Sequence, residues 1–134
     1  MRTLALNSWK LILLCTCLFT LVSCEQDEDE AYGRLVRYHW AGDLGFTDPF
    51  GEAVESGLNF DDSGFGMDEQ CYYDGYPYRS LPFRWMLHGS TLSLDYGNDF
   101  PPMEIRDLYV GVDELSGSLY VDGWYWDHIS LYQY

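Results

Sequence analysis

Residues 81–88 read LPFRWMLH, and after the pair Gly89-Ser90 residues 91–96 read TLSLDY. Apolar and polar residues alternate in both stretches, which is typical of β-strands that place one face on a core. Because the gap between the two strands is only two residues long, they must be antiparallel neighbours. This stretch predicts a β-hairpin with one apolar face, formed by Leu81, Phe83, Trp85, Leu87, Leu92, Leu94 and Tyr96.

The same alternation, interrupted by turn residues, continues on both sides of this hairpin. It predicts strands at Tyr38–Phe46, Ala53–Phe60, Phe65–Tyr73, Leu81–His88, Thr91–Tyr96, Met103–Val110, Leu115–Asp122 and Tyr125–Tyr132. Short gaps and about eight strands favour an all-β fold, an antiparallel meander closed into a small barrel, since closure removes exposed strand edges. Trp40 and Trp85 are expected to be buried in its core.

A short helix is predicted before the strands, over residues 28–39. Its apolar face follows the i, i+3, i+4, i+7 pattern, and acids stand at its start, where the helix dipole favours them. The residues of this predicted face are Tyr32, Leu35, Val36 and His39.

The N-terminal segment has the organisation of a secretory signal. Arg2 and Lys10 precede an apolar run from Leu11 to Val22, which is too short to span a membrane. The residues that follow, Leu21-Val22-Ser23-Cys24, resemble the bacterial lipobox, whose cysteine is lipidated. We therefore predict a lipoprotein signal peptide over residues 1–23 and attachment to the outer membrane through acyl chains, such as palmitate, on Cys24.

Acidic residues dominate the stretch after Cys24. Residues 24–30 are predicted to be the lipidated cysteine and a solvated acidic tether, followed by the barrel domain at 31–134. Such a stretch resembles the surface-export signal of Bacteroidota lipoproteins, which predicts exposure on the cell surface; a plain spacer is the alternative interpretation.

Net charge restricts the classes of partner. The whole chain has a formal charge of −15, and removal of Arg2 and Lys10 with the signal peptide leaves −17. Such a surface repels phosphates and anionic lipid headgroups, so no nucleic-acid partner is expected. Once Cys15 and Cys17 are removed and Cys24 is acylated, only Cys71 remains, and no intramolecular disulfide is expected.

Several short sequences occur in an order that resembles a known family. They are Trp40-Ala41-Gly42-Asp43-Leu44-Gly45, Phe60 with Asp62-Ser63-Gly64-Phe65-Gly66, Phe83-Arg84-Trp85, Leu92-Ser93-Leu94-Asp95-Tyr96 and Glu104-Ile105-Arg106-Asp107. From about Tyr32 onward the chain is similar to the small lipocalin-like lipoproteins of gut Bacteroidota. The resemblance implies a short eight-stranded barrel and carries over no catalytic residues, and a shared fold does not fix a ligand.

Metal and catalytic signatures are weak. His39, His88 and His128 lie on separate elements without paired ligand spacing, so neither a metal site nor a cofactor is predicted. The acidic stretch Asp61–Glu69 lacks the residue order of a calcium loop, and a tight hairpin turn explains its Asp62-Ser63-Gly64. The chain has no G-x-S-x-G, no P-loop and no Cys/His pair of recognised spacing, so we expect no enzyme activity.

Aromatic residues are the candidates for binding. All twelve tyrosines and four of the five tryptophans follow the predicted signal peptide. Clusters near two turns predict a platform for a glycan or a small amphipathic ligand, with cross-strand aromatic pairing as the structural alternative. The alternative function is that of an inhibitor or accessory subunit presenting an acidic face to a protein partner. The predicted ligand-binding residues are Tyr76, Tyr78, Trp124 and Trp126.

Overall fold

The computed structural model describes residues 26–134, so the predicted signal peptide and Cys24 lie outside the described residues. One helix, α1 (Glu28–Arg37), precedes eight strands: β1 (Trp40–Gly42), β2 (Val54–Phe60), β3 (Phe65–Tyr72), β4 (Pro77–His88), β5 (Thr91–Asp95), β6 (Met103–Val110), β7 (Glu114–Val121) and β8 (Trp124–Gln133). Each strand pairs antiparallel with the next, and β8 pairs with β1 to close the barrel. The predicted eight-strand meander and short N-terminal helix are confirmed.

The hairpin of β4 and β5 forms as the alternation predicts. Trp85 pairs with Leu94 and Leu87 with Leu92. Trp85 is only 7% exposed, and its indole Nε1 donates to the carbonyl oxygens of Asp61 and Phe65 at 2.9 and 3.0 Å. Trp40 is also buried, as predicted. The residues of the opposite face of β4, such as Met86 and His88, are exposed.

Two predicted strand boundaries differ from the observed ones by four residues, and the other differences are of one or two residues. β1 ends at Gly42, because the Asp43 carboxylate accepts the N–H of Gly45 at 2.7 Å and Gly45 adopts a φ of 87°, which turns the chain. β4 begins at Pro77, four residues before the predicted start at Leu81, because Arg79 and its neighbours continue the pairing with β3.

Helix α1 covers one end of the barrel, which we call the closed end. Asp27 caps the helix by accepting the N–H of Asp29, and Ala31 and Leu35 are buried against the barrel. The predicted helical face is therefore correct at Leu35, whereas His39 lies beyond the last helical residue and is exposed. Within the described residues, no helix is long and apolar enough to cross a membrane.

Close contacts between strands leave the barrel interior filled with side chains. A Cβ on Gly66 would collide with the ring of Phe83, and one on Gly117 would lie 2.6 Å from Cγ2 of Ile105. Leu92, Ile105, Leu115, Leu119 and Leu131 are fully buried in the same core. The interior is therefore a core, and it does not resemble an open cup.

Candidate functional site at the barrel mouth

The end of the barrel opposite α1, which we call the mouth, is crossed by the loop between β1 and β2, residues 43–53 (the mouth loop). Asp48 holds this loop in place. Its carboxylate accepts the N–H groups of Phe50 and Glu52 at 2.9 and 2.8 Å and the hydroxyl of Tyr72 at 3.0 Å. Burial opposes ionisation of Asp48, but these hydrogen bonds outweigh it and lower its pKa. The hydrogen bond from Tyr72, the last residue of β3, thus joins the mouth loop to the barrel.

Two cavities lie beneath and beside the mouth loop. The first, the polar cavity, has a volume of about 420 Å³ and is lined by Asp43, Asp127, His128 and Ser130 among others. The second, the apolar cavity, has a volume of about 280 Å³, and its walls include Phe46, Arg79, Phe100, Met103, Val121 and Trp126. Both cavities share one wall, which consists of Leu44, Gly45, Phe46, Thr47 and Trp126. The mouth therefore offers an apolar space beside a polar one.

Trp126 reaches this shared wall because β8 has a bulge. Leu119 pairs with Asp127 and Tyr120 with Tyr125, so Trp126 is the additional residue on β8. Bulges turn a side chain away from the ordinary alternation and are common at barrel rims. The indole lies over Gly45, where a Cβ would be 3.2 Å from Nε1 of Trp126. Although 60% exposed, Trp126 is therefore a wall of both cavities.

Arg79 supplies the positive charge of the apolar cavity. It has the same parity on β4 as the inward residues Phe83 and Trp85, and it pairs with the inward Gln70 of β3. Its Nε donates to Oε1 of Gln70 at 2.8 Å. Its guanidinium carbon lies 4.9 Å from the ring centroid of Tyr78 and 5.4 Å from that of Phe100, both within the range of cation–π attraction.

A buried polar network lies next to this arginine. Asp68 is fully buried, and its carboxylate accepts the hydroxyls of Ser56 and Tyr96 at 2.9 Å, the side-chain amide of Gln70 at 3.1 Å and the N–H of Gly57 at 3.2 Å. Burial raises the pKa of Asp68 in spite of these four donors. Asp68 lines neither cavity of the mouth, so the network supports the wall from within the core.

The structure distributes the four predicted binding residues unevenly around the mouth. Of these four residues, only Trp126 lines the two cavities. Tyr78 is half-buried between Tyr72, whose ring centroid is 5.3 Å away, and the guanidinium of Arg79. Tyr76 and Trp124 are 72% and 79% exposed and line neither cavity.

Sequence reasoning did not identify the other walls of the apolar cavity. Arg79 could have been found by extending the inward alternation of Leu81, Phe83 and Trp85 back by one step. Phe46 was predicted to end the first strand but lies in the mouth loop, and Phe100 lies in the connection between β5 and β6, where alternation gives no signal. Their rings are 5.8 Å apart, and this contact depends on how the barrel closes.

The remaining candidates are the three histidines, the hairpin at Asp61–Glu69 and Cys71. Residues 26–134 contain no group of three or more His, Cys, Asp or Glu residues placed to hold a metal ion. In the hairpin at Asp61–Glu69, the Asp61 carboxylate accepts the N–H of Ser63 at 2.9 Å, and this hydrogen bond lowers the pKa of Asp61. Burial, reinforced by nearby acids, raises the pKa of the half-buried Cys71 thiol, which disfavours its nucleophilic form.

No protein-family model matches this chain, and comparisons with curated proteins and with solved structures find no significant similarity. The resemblance to lipocalin-like lipoproteins therefore stays a prediction.

Proposed function

We propose that this protein is a cell-surface lipoprotein of the outer membrane that binds a small amphipathic ligand, without catalysis, at the mouth of a lipocalin-like barrel. The observation that carries the proposal is the pair of cavities divided by Trp126 and the mouth loop. Binding sites are usually concave, mostly apolar and equipped with a few placed polar groups. The mouth has these properties, since aromatic walls meet Arg79 on one side and Asp43 and Asp127 on the other.

The size of the apolar cavity restricts the ligand. A volume of about 280 Å³ lies just below the range of roughly 300–1,000 Å³ that is typical of ligand sites, and it fits a ring system or a short apolar chain. A sugar ring stacked on the exposed face of Trp126 is the glycan version of the same proposal. In both versions the polar part of the ligand reaches the polar cavity or solvent.

A binding role without catalysis agrees with the location of the acidic residue that is most strongly desolvated. Catalytic acids with a raised pKa are useful where they reach a substrate. The carboxylate oxygens of Asp68 instead accept hydrogen bonds from four donors inside the core, beneath the wall that holds Arg79. Its role is to position Gln70 and Tyr96.

The proposed lipid anchor would direct the mouth away from the membrane. Gln26 is fixed at the closed end, because its side-chain amide donates to the carbonyl of Val110 at 2.6 Å and accepts the N–H of Val110 at 2.8 Å. Cys24 precedes Gln26 by two residues, a separation that no chain conformation extends beyond about 7 Å. Acyl chains on Cys24 would therefore hold the closed end at the bilayer and leave the mouth facing outward.

The test compares two neighbouring tryptophans on β8. Residues 26–134 contain every strand of the closed barrel and its core, so this segment is suitable for work in solution. It is titrated with the uncharged aromatic amine N-phenyl-1-naphthylamine and, separately, with maltohexaose. We expect Trp126→Ala to abolish saturable binding of at least one probe and Trp124→Ala to retain it, because only Trp126 lines the cavities.

Absence of saturable binding for both probes, or equal loss in both variants, would contradict the proposal. Salt distinguishes it from the alternative of an acidic docking face. Binding through stacking and apolar burial should change little with ionic strength, whereas attraction of a basic protein to the net charge should weaken steeply.

A further inference from the structure

We infer that the ligand carries an anionic group, such as a carboxylate or sulfonate, and that Arg79 binds this group while the apolar part of the ligand fills the apolar cavity. This inference rests on the proposed function, which it narrows to small anionic amphipathic molecules. Its basis is the presence of a guanidinium in a wall that is otherwise largely apolar.

The first argument is the cost of placing a cation there. An arginine on an exposed face interacts freely with water, whereas Arg79 points inward at the rim of the core and is half-buried. The other arginines of the described chain are placed elsewhere. Arg34 and Arg106 pair with Glu30 and Glu104, and Arg37 and Arg84 lie over the rings of Tyr38 and Phe65.

The second argument is that the guanidinium is already oriented. Gln70 accepts the N–H of Nε, and the ring centroids of Tyr78 and Phe100 lie 4.9 and 5.4 Å from the guanidinium carbon. Gln70 is itself held by its hydrogen bond to Asp68. Because these contacts restrict the side chain before a ligand arrives, less entropy is lost when an anion binds.

The third argument is the hydrogen-bonding capacity that remains. Among residues 26–134, no acceptor is hydrogen-bonded to the terminal Nη1 and Nη2 atoms of Arg79. These atoms form the part of the guanidinium fork that pairs with two oxygens of a carboxylate or sulfonate. A cationic ligand would instead be repelled by Arg79 in the same cavity.

The negative net charge of the chain makes a nearby cation necessary for binding an anion. The chain carries a formal charge of −15, so its overall field repels anions. An anionic ligand can therefore be held only where a close, oriented positive charge offsets that field. Among residues 26–134, Arg79 is the one arginine that lines either mouth cavity.

The test uses two probes with the same aromatic frame. 1-Anilinonaphthalene-8-sulfonate carries a sulfonate, and N-phenyl-1-naphthylamine lacks it. Both are titrated into residues 26–134 of the wild type, Arg79→Gln and the matched control Arg84→Gln, an outward arginine of the same strand that also lies over an aromatic ring. We expect Arg79→Gln to weaken the sulfonate probe by about 10-fold or more and the uncharged probe by less than about 2-fold.

Arg84→Gln should leave both affinities unchanged. Melting curves verify that each variant is folded; if Arg79→Gln is not, Arg79→Met, which retains the aliphatic stem, takes its place. Equal weakening of both probes by the Arg79 variant, or unchanged binding of the sulfonate, would overturn the role of Arg79. In those cases binding of the uncharged probe leaves the proposed function standing. A wild type that binds neither naphthalene probe overturns the inference, and if it does not bind maltohexaose either, the proposed function fails as well.

Discussion

Truncation of Trp85, compared with truncation of Trp126, tests the assignment of core and mouth residues in one experiment. The side chain is 7% exposed, and its ring centroid lies 5.2 Å from that of Tyr32 and 5.3 Å from that of Phe60. Trp85→Ala therefore opens a cavity where helix α1 meets the barrel. Truncation of a buried tryptophan costs about 3–5 kcal/mol through lost transfer free energy and the cavity that remains.

The hydrogen bonds of the indole change this value only slightly. The carbonyl of Asp61 also accepts the N–H of Gly64, and the carbonyl of Phe65 also accepts the N–H of Asp61. Each carbonyl therefore keeps one donor when the indole N–H is lost. The loss adds only about 1 kcal/mol to the cost of truncation, which is the net value of an ordinary hydrogen bond. The expected loss of about 4–6 kcal/mol is a large part of the roughly 5–15 kcal/mol that stabilises a typical domain.

The assay is thermal melting of residues 26–134, followed by far-UV circular dichroism. At about 4–8 °C per kcal/mol for a domain near this size, Trp85→Ala should melt at least about 15 °C below the wild type or fail to fold. The melting temperature of Trp85→Phe, which keeps a ring and loses the N–H, should lie between those of the wild type and Trp85→Ala. Trp126→Ala is the matched control: its side chain is 60% exposed, so it should cost about 1 kcal/mol or less.

If Trp126→Ala lowers the melting temperature as much as Trp85→Ala, the aromatic residues at the start of β8 are part of the core. The reasoning that makes Trp126 a binding residue would then fail.

Two further predictions concern the buried acid and the anchor. Burial raises the pKa of Asp68 above its unfolded value of 3.8, so the folded protein binds the carboxyl proton more tightly than the unfolded chain does. The stability that this proton contributes is therefore greatest below pH 3.8 and is lost as the pH rises through the raised pKa of the folded state. The unfolding free energy of the wild type minus that of Asp68→Asn, from urea melts, should therefore fall as the pH rises above about 4, and a flat or rising difference contradicts the argument. Cys24→Ala should leave the precursor uncleaved and unlabelled by radioactive palmitate in a host that processes lipoproteins, whereas normal labelling would exclude lipidation at this residue.

Alternation predicted the strands well because it depends on local geometry. A strand with one buried face must repeat its apolar residues with a period of two, and β4 and β5 do so from Leu81 to Tyr96. Errors occurred where side chains override that period. Asp43 ends β1 early by accepting the N–H of Gly45, and the predicted helix continued to His39 although the helical residues end at Arg37.

The residues that line the mouth cavities were predicted less completely than the strands. Aromatic clustering near the two turns selected Trp126, which lines both cavities, but it gave equal weight to Trp124 and Tyr76, which line neither cavity. Composition records how many aromatic rings a segment has and says nothing of the direction in which each ring points. The bulge that turns Trp126 toward Gly45 is a property of the pairing between β7 and β8.

The sequence by itself determined the all-β class, the order of the strands and the inward face of the β4–β5 hairpin, because these follow from the period of two and from short connections. Only the tertiary structure decided where a ligand could bind. Phe46, Arg79, Phe100 and Trp126 are far apart in the chain and form one wall system only when the barrel closes with its particular register and the mouth loop is tied to Asp48. Such contacts are non-local, and no pattern within a single strand encodes them.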